Sequence, residues 1–382
     1  MRVALLAAIL LAAPLEAQQA RFQIDAQTPE GLLLQMAGME SDEAKKIALY
    51  EEFLQKYGSH PGRAYALNQV LPLWLKTKAH EKVIAGAKEV LAAEPDNAPA
   101  AYNALQACEE QKNANCIVEW ANATIEAAKK KIESKEPEDE TEAETWKAEV
   151  DFAKQVTTRA EYSFYAGALQ MTDPQAIVML AEGLMKANPK SQYMRQTAGR
   201  GFVALLQMKD LKKGLEFAEN AAAQGFANED MLLFAADTHL SSTKDFDKAA
   251  GYAVQLIEML PAQGAPEGMA EADWEKKKKK NTLARGYWIA GIAYGARERW
   301  ADCEKVLNAG LETIRTSAAA NDLLPGAYFY LGLANYNLAG KGPKRDKARL
   351  AAAQKHWSAC AQMKSPFQAR AQQNLLGLAA GR

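Results

Sequence analysis

Cysteine is scarce in this chain. Cys108, Cys116, Cys303 and Cys360 are the four among 382 residues, and no two stand in a CxxC pair. That spacing excludes the usual signatures of a redox dithiol or a cysteine zinc site. Histidine is equally thin: His60, His80, His239 and His356 lie in distant segments, with no HExxH and no i, i+4 pair. There is no GxSxG elbow, no phosphate-cradling glycine loop followed by lysine, and no DxDxDG-like loop to gather oxygen ligands for calcium. No catalytic set, metal or cofactor is expected, so the enzyme class is disfavoured. Charge of one sign is lacking too. Lys+Arg 46 against Asp+Glu 47 leaves a formal net charge of -1, which gives no basic field to draw nucleic acid or an acidic membrane surface. Beyond the first residues no apolar run is long enough for a membrane span, and no alternating Val/Ile/Thr runs compete for strand.

What is present begins with a targeting pattern. Arg2 supplies a positive start, Val3 to Ala13 is an unbroken apolar run, Pro14 breaks it, and Ala17 offers a cleavage point before Gln18. The run is too short to cross a bilayer and reads as a signal peptide over residues 1–17. No cysteine follows it, so a lipoprotein anchor is not expected. The mature chain is expected to be exported, in a periplasm or outside the cell, where disulfides persist. Cys108 and Cys116 flank one predicted inter-helix turn and are the candidates for a bridge. Cys303 and Cys360 fall on small-residue positions of neighbouring helices and read as buried small apolar residues.

The hydrophobic content of 48% and the abundance of Ala, Leu, Glu, Lys and Gln favour a folded helical chain. A unit also recurs. EDMLLFAADTHLSSTKDFDKAAGYAVQLIEMLP runs to Pro261, and ARGYWIAGIAYGARERWADCEKVLNAGL starts at Ala284. In each, a helix with small residues at fixed points turns through a charged loop into a second helix. Tyr287, Ala290-Gly291, Tyr294 and Trp300 mark one unit; Leu233, Ala236, Leu240, Phe246, Ala249, Ala253 and Pro261 mark another, with Asp237 where glycine is usual. Pro61 in KYGSHP, Pro95 in AAEPDN and Pro189 in KANPKS stop further second helices, and Leu331-Gly332 marks the last clear first helix, Pro325 to Tyr336.

On these residues the chain resembles the tetratricopeptide repeat (TPR) family, whose unit has about 34 residues. The resemblance implies an all-α, right-handed solenoid of antiparallel helix pairs, with about seven repeats plus terminal helices. Units are expected near 64–97, 98–128, 158–191, 195–226, 230–261, 284–314 and 325–365, preceded by a helical pair over 29–58 and closed by a capping helix after Ser365. The organisation is then a signal peptide (1–17), N-terminal helices and repeats (18–128), a charged insertion with extended helices (129–157), central repeats (158–261), a loop insertion with a lysine run (262–283), and C-terminal repeats with their cap (284–382). The first insertion gathers Glu133, Glu136, Glu138, Asp139, Glu140, Glu142 and Glu144, with Lys135 the single base in that span, and reads as a solvated acidic turn at Pro137. In the second, Gly264, Pro266 and Gly268 argue for a loop, and Lys276 to Lys280 read as a solvated helix start.

In the resembling family the first helices line a concave groove, with template positions 2, 5, 9 and 12 facing into it. Position 5 here is Asn68, Tyr162, Gly199, Phe234, Trp288 and Phe329. Position 12 contributes Leu75, Leu169, Leu206, Ser241 and Tyr336, and Arg159 and Arg285 take position 2. The expected partner groove is therefore Arg159, Tyr162, Phe234, Arg285, Trp288, Phe329 and Tyr336, an aromatic ladder edged by arginine and suited to an extended peptide. The Lys and Asn that clamp chaperone tails in some relatives are missing: the matching pairs are Asn68/Pro72, Tyr162/Ala166, Phe234/Thr238 and Trp288/Ile292. Gly199 and Gly201 in TAGRGF read as packing positions. FLQKYGSHP at Phe53–Pro61 is similar to the opening repeats of bacterial envelope TPR proteins, which support outer-membrane assembly or division-linked envelope complexes. The expected function is a non-catalytic exported adaptor that binds a protein partner in cell-envelope assembly or maintenance. The alternatives are a cell-wall glycan-binding scaffold and a non-catalytic subunit of an exported enzyme.

Overall fold

The computed structural model describes residues 24–265, 269–342 and 344–380. The signal segment read from residues 1–17 lies outside them, as do Pro266 and Gly268. Every regular element among the described residues is helical. In chain order these are α1 (Pro29–Met39), α2 (Glu43–Lys56), α3 (Arg63–Lys76), α4 (His80–Ala93), α5 (Ala98–Glu110), α6 (Ala114–Glu133), α7 (Glu140–Gln170), α8 (Pro174–Ala187), α9 (Met194–Gln207), α10 (Leu211–Gln224), α11 (Glu229–Ser242) and α12 (Phe246–Met259). A short α13 (Glu271–Asp273) passes through a π-helical turn, Trp274–Lys279, into α14 (Lys280–Ala296), followed by α15 (Trp300–Arg315), α16 (Ala320–Leu338), α17 (Lys347–Ala361) and α18 (Gln368–Ala379). The chain is an all-α stack of helix pairs. It divides into two compact units, one holding residues up to Gln111 together with Ala123–Thr157, the other Lys112–Asn122 together with Thr158 onward.

The turns show why the chain keeps returning to one shape. Lys78, Lys112, Lys209, Thr243 and Glu298 all carry positive φ, between 51° and 60°, and each sits between the two helices of a pair. Lys78 and Lys112 stand 34 residues apart, as do Lys209 and Thr243. A side chain in this left-handed region costs roughly 1 kcal/mol. The cost is offset by reversal bonds such as Ala79 N–H to Trp74 O (2.8 Å), Asp210 N–H to Leu205 O (3.1 Å) and Arg299 N–H to Tyr294 O (2.9 Å). The helices that follow are capped where the sequence provides Asp or Asn. Asp173, Asp210, Asp245 and Asp346 accept from the first-turn amides of α8, α10, α12 and α17, and Asn97 and Asn228 do so for α5 and α11.

In the N-terminal unit each helix from α1 to α5 packs on the next, and α3 also meets α5. Trp74 is buried and donates its indole N–H to Glu51 (2.8 Å), which Lys82 also pairs (2.7 Å). Gly86 lets Leu67, Leu71 and Trp74 close onto α4, since a Cβ there would stand 3.1–3.3 Å from all three. Ala98, Ala101, Ala127, Ala128, Ala153 and Val156 form one buried cluster between α5, α6 and α7. α6 ends at Glu133 and α7 begins at Glu140, and the acidic turn between them is solvated, with Glu138 and Asp139 exposed.

The C-terminal unit repeats the arrangement from α8 through α12 and from α14 to α18, each helix packing on its neighbour. First helices also meet directly, α11 on α14 and α14 on α16. Glycines set the close approaches, Gly332 at a position that the template marks as small. A Cβ on Gly183 would lie 2.7 Å from the Phe164 ring, and one on Gly332 would lie 2.3 Å from the Trp357 indole. Trp357 is buried and donates to Phe329 O (3.2 Å). α16 begins five residues before Pro325, so this proline stands inside the helix rather than opening it.

A polar knot ties α10, α11 and α12. The Glu219 carboxylate accepts from His239 (2.9 Å), Lys248 (3.0 Å) and the Tyr252 hydroxyl (3.3 Å). Burial pushes this carboxyl up, but the bonds from Lys248 and His239 outweigh that and hold it below the usual carboxylate range. A carboxyl depressed on folding contributes stability above its unfolded pKa, and that contribution is lost as the pH falls through the folded value. Glu219→Gln is therefore expected to cost about 1 kcal/mol at pH 7. It should also make the loss of melting temperature below about pH 4 shallower than in the wild type, as read by thermal denaturation across a pH series.

Candidate functional site

A cavity of about 840 Å³ opens in the C-terminal unit on α7, α8 and α9. Its apolar wall is Tyr165, Leu169, Ile177, Val203 and Ala204. Leu169 is 45% and Val203 47% exposed, so two large aliphatic side chains face solvent inside a concavity. Gln196, Gln207 and Asn228 add polar groups, and Arg195 and Arg200 flank Gly199 on α9. Gly199 leaves the floor open where four other repeats carry an aromatic ring. A Cβ here would come within 3.1 Å of the Asn228 amide, whose oxygen caps α11 by accepting from Met231 N–H (3.0 Å).

The insertion between α12 and α14 builds one side of the same cavity through Gln263, Gly264 and Lys278. It is held firmly. Trp274 is 1% exposed and donates to Gln263 O (3.1 Å), and Lys279 donates to the same carbonyl (3.0 Å) and pairs with Glu275 (2.6 Å). Lys278 crosses to the start of α11, where it meets Glu229 (2.8 Å) and Asp230 (3.0 Å). Burial opposes charge on Lys278, yet its bonds to these carboxylates prevail and raise its pKa above the ordinary lysine value. The lysine run is thus not a solvated helix start throughout. The π-helical turn rotates Lys278 and Lys279 inward, while Lys276 stays exposed.

The groove residues expected from the sequence meet different fates. Tyr162 is 39% exposed beside this cavity, with the Arg159 guanidinium 5.2 Å from its ring and Tyr165 and Tyr193 at 5.9 and 5.4 Å. Tyr165 and Tyr193 stack on each other at 5.7 Å. Phe234 is half-buried against Phe202 (5.4 Å). Arg285 is held by both oxygens of Asp237 and lies over the Trp288 ring at 4.6 Å. Trp288 is half-buried, and among the described residues its indole nitrogen finds no acceptor. Tyr336 is flanked by Arg345 (4.3 Å) and Trp357 (5.6 Å). Phe329 is 1% exposed under Phe367 and Arg370, because the start of α18 folds over it. It is a core residue, and the expectation that it faces the groove is corrected.

Sequence reasoning missed Val203, Ile177, Asn228, Arg195, Arg200 and Lys278. It also grouped Gly199 with Gly201 as packing glycines. Gly201 packs on the neighbouring helix, its Cβ position lying 2.6 Å from Ala181, whereas the atom nearest the Cβ position of Gly199 is the Asn228 side-chain amide at 3.1 Å. The available signal was the break in the aromatic series at position 5.

Cys108 and Cys116 are both disulfide-bonded, whereas Cys303 and Cys360 are free and buried. Burial pushes the Cys303 thiol up to about 12 and the Cys360 thiol up to about 11, which keeps both protonated and unreactive at neutral pH. Among the described residues no group of three His, Cys, Asp or Glu could hold a metal ion, and no helix is long and apolar enough to cross a membrane.

No family model matches the chain, and no curated protein matches it. Among solved structures it is similar to the crystal structure of the P58(IPK) TPR domain. The identity is 8%, with 92% of this chain and 98% of that chain covered and a TM-score of 0.23.

Proposed function

We propose that this chain is a non-catalytic scaffold, exported by the signal segment over residues 1–17, that binds an extended segment of a partner protein across the first-helix faces of its C-terminal unit. The cavity on α9 is the observation that carries this reading. It is concave, lined by solvent-facing Leu169 and Val203, and supplied with amide and guanidinium donors, the combination that anchors a side chain and fixes its backbone. The TPR resemblance supports a protein as the partner. The bonded state of Cys108 and Cys116 supports an oxidising compartment. A role in cell-envelope assembly or maintenance rests on the likeness of Phe53–Pro61 to envelope TPR proteins, which is an analogy of sequence.

The test is affinity capture from the native organism's envelope with the mature chain and a Tyr162→Ala, Val203→Ala double variant as baits. A small set of proteins retained by wild type and lost by the variant is expected. The same set on both baits contradicts the reading. A second reading is favoured by Tyr162, Tyr165 and Tyr193, whose grouped rings suit the stacking of sugar rings. It predicts retention of insoluble cell-wall material by the wild type, with no protein partner.

A further inference from the structure

We infer that the cavity on α9 selects a segment in which a bulky apolar side chain is flanked by carboxylates. The inference rests on the groove reading above and adds the chemistry of the occupant. The apolar requirement follows from size and lining. A volume of about 840 Å³ walled by Tyr165, Leu169, Ile177 and Val203 is wider than any one aliphatic side chain needs, and it admits an aromatic ring with part of its backbone.

The charge requirement follows from accounting for every ionised group on the lining. Glu229 and Asp230 are matched by Lys278, which reaches both. Arg195 and Arg200 meet no carboxylate among the described residues. Among the described residues Arg195 meets only neutral acceptors, the Met259 sulfur (3.5 Å) and, at a long 3.4 Å, Gly225 O. Arg200 gives its Nε–H to Ala168 O (2.8 Å), and among the described residues its two terminal nitrogens meet no acceptor. These guanidiniums stand at either side of Gly199, so both rims of the open floor offer planar donors suited to a carboxylate. A basic segment would face uncompensated like charge, which is the element that rejects it.

The test is to pan a phage library of random 12-residue peptides against the mature chain and measure the winners by fluorescence polarisation. Phe, Leu, Met or Trp next to Asp or Glu should be enriched. Replacing the apolar residue by Ala, or placing Val203→Glu on the exposed face of α9, should weaken binding at least tenfold while helicity is unchanged. Arg195→Gln with Arg200→Gln should bring an acidic peptide down to the affinity of its Asn/Gln counterpart and leave that counterpart unchanged. Affinity for the acidic peptide should also fall as NaCl is raised. Enrichment of basic motifs, or binding that ignores both arginine changes, overturns this inference and leaves the groove reading standing. An empty panning overturns it as well. The groove reading falls only if envelope capture also fails to separate the Tyr162→Ala, Val203→Ala bait from wild type.

Discussion

Trp274→Ala is expected to loosen the insertion between α12 and α14 by about 3–5 kcal/mol and to dismantle one wall of the α9 cavity. The indole is 1% exposed, and it is one of two donors on Gln263 O, the other being Lys279. Removing the ring leaves a void under the π-helical turn and takes one of two bonds from the carbonyl that carries Gln263 and Gly264 into the cavity. Lys278, whose Nζ lies 5.9 Å from the Trp274 ring, loses the surface that directs it toward Glu229 and Asp230. Most of this energy is local. The expected result is fast amide exchange and proteolytic nicking within residues 262–280, with a smaller drop in the melting temperature of the whole chain. Uniform destabilisation, with the insertion still protected, would contradict the wall's dependence on this one ring.

Gly310→Ala should destabilise the chain even though alanine is the better helix former. Propensity alone favours the change by roughly 1 kcal/mol. Against it, a Cβ on α15 at this point would lie 2.2 Å from Cγ and 2.4 Å from Cβ of Tyr287. The Tyr287 Cβ is fixed by the backbone, so no rotamer change clears it and α14 must move away from α15. Overpacking of this kind costs roughly 1–3 kcal/mol, and a clash this short belongs at the upper end, so the net effect is a loss of up to about 2 kcal/mol. Gly251→Ala on α12 is the matched control. Nothing lies within 4 Å of its Cβ position and the residue is exposed, so this substitution should stabilise by roughly 0.5–1 kcal/mol. Equal effects from the two changes in urea unfolding would show that close approach at Gly310 is not what the stack depends on.

The stack of pairs was legible because its determinants are local. The small residues at Gly291 and Gly332 serve contacts within one helix pair, and the stops at Pro95 and Pro189 act within one turn, so their spacing announces the fold. The site was less legible because it depends on what the folded chain covers. Phe329 carries a groove-facing template position, yet the start of α18, some forty residues on, seals it. Arg285 occupies an equivalent rim position but is claimed by Asp237 from α11. Conversely, Gly199 looked like packing because Gly201 two residues on is packing, although its place at position 5, where Tyr162, Phe234 and Trp288 stand in other units, set it apart. Lys278 is one of five consecutive lysines, and only the π-helical turn distinguishes it. In each case a contact between distant residues decided whether a template position stayed open.

If the first-helix face around Gly199 is the binding surface, hydrogen–deuterium exchange of the mature chain with and without a peptide selected on it will show where the peptide sits. New protection is expected in α9, at the start of α11 and across Trp274–Lys279, with the second helices α10, α12 and α15 unchanged. Protection confined to those second helices or to the N-terminal unit, with α9 exchanging as before, would contradict that placement.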